Sequence, residues 1–113
     1  MALKETYKKG FVELILLKLL SEGEYYGYEL VQIVEERSGG VVEIPEGSLY
    51  PTLYKMAERG WIEGDKRPSG KRQMRIYYHL TEVGEARLAE MLQEFHNFQE
   101  GMRRVMYPEP SDD

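Results

Sequence analysis

The stretch that decides the fold is Ile44-Pro45-Glu46-Gly47-Ser48-Leu49-Tyr50-Pro51-Thr52-Leu53-Tyr54-Lys55-Met56-Ala57-Glu58-Arg59-Gly60-Trp61-Ile62. Leu49, Leu53, Met56 and Ala57 recur at the three- and four-residue steps of a buried helical stripe. Gly60 stands just past the last of them, where a left-handed C-terminal cap belongs. Ser48, Pro51, Thr52, Lys55 and Arg59 fall on the opposite face, flanked by Tyr50 and Tyr54, with Glu58 the only acid nearby. Short hydroxyls and long cations with so little carboxylate suit a helix pressed against a polyanion. Pro51 constrains the helix start, because an interior proline removes a backbone bond and crowds the carbonyl four residues back, at about 3 kcal/mol. Either the regular helix begins near Tyr50, or it begins at Glu46 and Gly47 relieves the crowding. The second is preferred.

Beyond Gly60 the hydrophobic period changes from helical to two. Trp61-Ile62-Glu63-Gly64-Asp65-Lys66 reads as one strand and Arg67-Pro68-Ser69-Gly70 as a turn. On the return strand Met74, Ile76, Tyr78 and Leu80 alternate with Arg75, Tyr77 and His79. The hairpin tip gathers Lys66, Arg67, Lys71, Arg72 and Arg75. A helix followed by a cationic hairpin predicts a winged helix, with the helix in a groove and the wing on the flanking backbone.

Gly47-Ser48-Leu49-Tyr50-Pro51-Thr52-Leu53, the Gly60-Trp61-Ile62 exit and Arg75-Ile76-Tyr77-Tyr78-His79-Leu80-Thr81-Glu82-Val83-Gly84 resemble the PadR family of bacterial transcriptional regulators, in its short form. Upstream, Tyr26-Gly27-Tyr28-Glu29-Leu30 is similar to the second helix of that family. The likeness runs over roughly residues 10 to 106. It implies a winged helix-turn-helix, a C-terminal dimerisation helix, and repression usually relieved by a small molecule.

At 113 residues the chain is one domain. It has no cysteine, so disulfides, thiolate metal sites and thiol catalysis are excluded. No signal-peptide profile or membrane-length apolar run is present, and a cytoplasmic location is expected. The net charge of −5 hides an uneven distribution. From Lys55 to His79 seven cations face three anions, while the rest of the chain holds eight cations against seventeen anions. Distant acids are screened beyond a Debye length of about 10 Å at 0.1 M salt, so the local positive field is what phosphates meet.

In chain order, Met1–Lys9 is a polar arm. Gly10–Leu20 is a helix with Phe11, Leu14, Ile15, Leu17 and Leu20 as core candidates. A second helix starts at Tyr25 or Tyr26 and closes at Arg37-Ser38-Gly39-Gly40, with Leu30, Ile33 and Val34 inward. Val41-Val42-Glu43-Ile44 is β-prone and a candidate to pair with the wing. Thr81 is the expected N-cap of a last helix that runs to about Met106, before Pro108. Leu88, Met91, Phe95, Phe98, Met102 and Val105 recur there in alternating steps of three and four, an a/d seam that asks for a partner helix, most simply a second copy. The expected division is 1–80 for the DNA-binding region with its arm, 81–107 for the dimerisation helix, and 108–113 for an acidic disordered tail. The fold class is mainly α (α+β), a winged helix-turn-helix with a long C-terminal helix.

Within a DNA-binding reading, Ser48, Thr52 and Lys55 point to base edges, and Lys66, Arg67, Lys71, Arg72 and Arg75 to phosphates. Tyr50 either bonds a phosphate or packs on the second helix, and the family resemblance favours the first. On the seam, Met91, Phe95 and Phe98 are either plain dimer packing or an adjustable, aromatic-floored effector pocket. In drug-responsive members a tryptophan lines that cavity at the position of Phe95, so the phenylalanine here puts multidrug binding in doubt. Trp61 is read as core. His79 and His96 lack the spacing of a helical zinc pair, the Gly64–Arg72 segment departs from a phosphate-binding loop, and no catalytic triad or paired carboxylates emerge. Neither an enzyme nor a cofactor is expected. The reading is a homodimeric repressor on a palindromic operator, with a small aromatic or hydrophobic effector. The competing reading is a winged-helix protein-interaction module that does not touch DNA.

Overall fold

The computed structural model describes residues 2–110 except residue 71, with backbone alone for residues 2–9. Lys71 and the last three residues of the expected tail therefore lie outside the described residues. The element order is α1 (Ala2–Leu20), β1 (Tyr25–Tyr26), α2 (Gly27–Ser38), α3 (Glu46–Glu58), β2 (Ile62–Pro68), β3 (Met74–Leu80) and α4 (Glu82–Met106).

The core is built by α1, which packs against α2, α3, α4 and β3. A helix covered on several sides cannot keep one polar face. Val12, Leu16 and Leu19 are accordingly buried beside the expected Leu14, Leu17 and Leu20, while Phe11 and Ile15 are half-buried. From α2 come Leu30 and Val34, and from α3 come Leu49, Leu53 and Met56. Ala57 is exposed, contrary to the expectation, because the buried stripe of α3 is only as wide as those three residues.

The helix α3 does begin at Glu46, with Pro51 inside it. Ser48 and Leu49 amides both donate to the Pro45 carbonyl and secure the first turn. At the other end Gly60 is left-handed (φ 80°), and the Trp61 amide donates to the Met56 carbonyl while that of Gly60 reaches Ala57. These are the paired bonds of a glycine-terminated helix, and they aim the chain straight into β2.

The sheet is antiparallel in the order β1-β3-β2. Its third strand corrects two expectations. Tyr25 and Tyr26 are strand rather than helix, pairing with Tyr78 and Tyr77, and α2 starts only at Gly27. Val41–Ile44, offered as the wing's partner, forms no strand. The Ser38 hydroxyl receives the Val42 amide at 3.0 Å and Gly39 and Gly40 both take positive φ, which coils the segment; Ile44 alone plugs the core. The β-prone valines lost because the two tyrosines already fill the open edge of β3.

Thr81 caps α4 as expected: its hydroxyl oxygen accepts from the Gly84 amide at 3.0 Å and also bonds the Gly60 carbonyl, tying the helix to the wing root. The seam on α4 divides. Leu88 and Met91 are 7% and 8% exposed and belong to the chain's own core, together with half-buried Leu92. Phe95 meets Phe11 edge-on at 6.0 Å. Phe98, Met102 and Val105 are 40%, 39% and 73% exposed.

Candidate nucleic-acid interface

Helix α3 presents its outward face through exposed Tyr50, Pro51 and Lys55, with Ser48 and Thr52 half-exposed between them. Lys55 makes no ion pair with the described residues, so its charge is free. Arg59, read on the same face, turns the other way. It pairs with Glu13 of α1 at 3.3 Å and lies over the Trp61 ring at 5.0 Å. Arg87 covers that ring at 5.5 Å, so Trp61 is half-buried beneath two guanidinium groups rather than fully in the core.

The wing's cations divide by strand alternation, since successive side chains point to opposite faces. Lys66 falls on the same face as buried Ile62, and its register partner is Ile76. Arg67 and Arg75 alternate onto the other face of the hairpin, beside Tyr77. Both are engaged there: Arg67 pairs with Glu24 at 2.8 Å and lies 5.1 Å from the Tyr77 ring, and Arg75 lies 4.3 Å over Tyr26. Arg67's guanidinium is held charged even more firmly than usual, first by its hydrogen bond to Glu24. At the tip, Arg72 takes a left-handed φ of 65° beside Gly70, and the Ser69 amide closes the turn on the Gln73 carbonyl at 2.8 Å.

Sequence reasoning missed the cleft between α3 and the wing. Tyr26, Tyr28, Tyr50, Tyr54 and Tyr78 gather there with Gly27, Met74, Arg75 and Ile76 around about 320 Å³. Burial, and then proximity to Tyr54 and Tyr50, push the Tyr78 hydroxyl's pKa up, so it stays a neutral donor. The spacing of Tyr50 and Tyr54, one helical turn apart, was the available signal. Nothing in the sequence pointed to Tyr78 joining them. His79 sits on the opposite face near Glu63 (3.3 Å) and Asp65 (3.7 Å). Among the described residues no acidic, histidine or cysteine cluster is arranged to hold a metal, and no helix is long and apolar enough to cross a membrane.

Of the expected effector-pocket residues, Met91 is in the core, Phe95 rests on Phe11, and Phe98 is exposed one turn further along.

Comparison with known proteins gives a consistent answer. A Lysinibacillus sphaericus protein of uncharacterised function is 33% identical over 95 residues, covering 81% of this chain and 84% of its own length. A crystal structure of a PadR-like transcriptional regulator from Bacillus cereus superposes with a TM-score of 0.75 at 33% identity, over 89% of this chain and 96% of that one. Bacillus subtilis PadR in complex with operator DNA matches with a TM-score of 0.68 at 27% identity, over 73% of this chain and 46% of that one. The chain thus spans less than half the length of that protein, described as a negative transcriptional regulator. The model of the transcriptional regulator PadR-like family matches residues 16–90, from the core of α1 to the first turns of α4, and the chain belongs to that family.

Proposed function

We propose that the chain is a homodimeric repressor that lays α3 in the major groove of a palindromic operator and rests its wing on the flanking phosphates. The observation that carries the reading is the likeness to PadR bound to operator DNA. Ser48, Thr52 and Lys55 read base edges. Tyr50, Lys66, Arg67, Lys71, Arg72 and Arg75 take phosphates, and each phosphate neutralised steepens the salt dependence. Exposed Met102 and Val105 on the far part of α4 support pairing with a second copy, which would cover that apolar surface. Two α3 helices related by the dimer axis then read half-sites about 34 Å apart. A small aromatic or hydrophobic effector between the paired α4 helices, near Met91, Phe95 and Phe98, acts by favouring a dimer geometry that does not fit the operator.

A mobility-shift titration on the DNA flanking the chain's own gene, at two salt concentrations and against a random duplex, tests this. Tight binding to the flanking DNA that weakens with salt is expected. Lys55→Ala flattens the preference between the two duplexes, whereas Lys71→Ala weakens both and lowers the salt slope. A protein that stays monomeric at micromolar concentration and binds neither duplex in dilute buffer overturns the reading.

A further inference from the structure

We infer that Glu24 is a brake on the wing's grip on DNA, holding Arg67 in the place of a phosphate until a seated operator displaces it. The inference rests on the DNA-binding reading above. Glu24 immediately precedes β1, and Arg67 is on β2, with β3 lying between the two strands. The 2.8 Å pair therefore crosses the sheet over the middle strand. The Arg67 guanidinium lies 5.1 Å from the Tyr77 ring, and Tyr77 packs edge-on against Tyr26 at 5.3 Å. Asp65 stands 3.6 Å from the same guanidinium nitrogen.

A carboxylate offers a guanidinium the same kind of acceptor oxygens as a phosphate does. Glu24 and Arg67 side chains are 47% and 40% exposed, so incoming phosphate has access to the pair. Lys66 and Arg72, by contrast, make no ion pair with the described residues and meet any duplex unopposed. A passing duplex meets Arg67 already neutralised. Only a duplex fixed by α3 holds a phosphate against the wing long enough to exchange with the carboxylate. Displacement costs the operator complex the whole Glu24–Arg67 pair, so Glu24 lowers attraction to the operator at least as much as attraction to DNA at large.

The test compares the wild-type chain, Glu24→Gln, Arg67→Gln and the double variant on the gene-flanking duplex and on a random duplex of equal length, over a salt series. Glu24→Gln is expected to tighten binding to the flanking duplex by about two- to five-fold, the range of an exposed ion pair, with an equal or smaller gain on the random duplex. In the Arg67→Gln background the Glu24→Gln change has no further effect. Unchanged flanking-duplex affinity in Glu24→Gln overturns the inference. So does an equal gain with Arg67 absent, which reports a general charge effect. A wild-type chain that binds no duplex at low salt instead overturns the DNA reading itself.

Discussion

Gly27, the first residue of α2, lies directly under the Tyr50 ring of α3: a Cβ on Gly27 would stand 2.9 Å from the Tyr50 hydroxyl and 3.0 Å from its ring edge. The missing side chain lets α3 seat a tyrosine on the start of α2, so this contact helps to fix the angle between the two helices. Tyr50 is also exposed on its outer side, which gives it room to swing outward.

Gly27→Ala is therefore expected to leave thermal stability nearly unchanged, since alanine's better helix propensity offsets the contact, while Tyr50 is displaced from the cleft. Operator affinity falls several-fold, and the loss is not additive with Tyr50→Ala. Melting curves run beside binding titrations check this. A large drop in melting temperature with unchanged affinity contradicts it.

Gly84 is the opposite case. A Cβ there would run into the Trp61 carbonyl, which is backbone, and stand 2.8 Å from Leu80 Cδ1. Neither the strand root nor the capped start of α4 has room to retreat. Gly84→Ala is expected to cost at least the about 1–3 kcal/mol of ordinary overpacking, several degrees of melting temperature by calorimetry.

Leu53 is fully buried on the inner stripe of α3, while Lys55 two residues on is exposed. Leu53→Ala is expected to destabilise by about 2–5 kcal/mol in urea titrations. Lys55→Ala should stay within about 0.5 kcal/mol of the parent and show its effect only on DNA.

Met102→Glu combined with Val105→Glu places two charges where the far part of α4 is proposed to pair. Sedimentation is expected to report a folded monomer with unchanged core stability. A dimer that persists through both changes locates the contact elsewhere on the chain.

On the same helix Glu100 accepts from Arg103 at 2.7 and 3.0 Å and from Arg104 at 3.3 Å, which holds its pKa down at about 2 from 4.5. Because the folded value lies below the unfolded one, the pairing supports α4 above the ordinary carboxylate range and is lost as pH falls towards 2. Arg103→Ala is expected to move the Glu100 titration upward in carboxylate NMR. High salt should do the same, since an exposed pair is screened within about 3 Å at 1 M.

Much of this architecture is written in short spacings. The stripe Leu49, Leu53 and Met56, the left-handed Gly60, the alternation around Tyr78 and the Thr81 cap are each decided within a few residues, because backbone dihedrals and side-chain period are local properties. Even Pro51 was readable, since Gly47 precedes it by one turn.

Tertiary structure decided which of several suitable groups meet. Val41–Ile44 had the better strand composition, yet Tyr25 and Tyr26 took the edge of β3 because the end of α1 delivers them there. The α4 seam reads as continuous, but Leu88 and Met91 are buried where α4 packs on α1, while Met102 and Val105 further along are exposed. Arg67 reads as free cation, and only the folded sheet brings Glu24 across to it. Spacing along a chain specifies what each element is and which side of it is apolar. It does not specify the rigid-body placement of one element on another, and that placement allots partners to charges and cover to apolar surface.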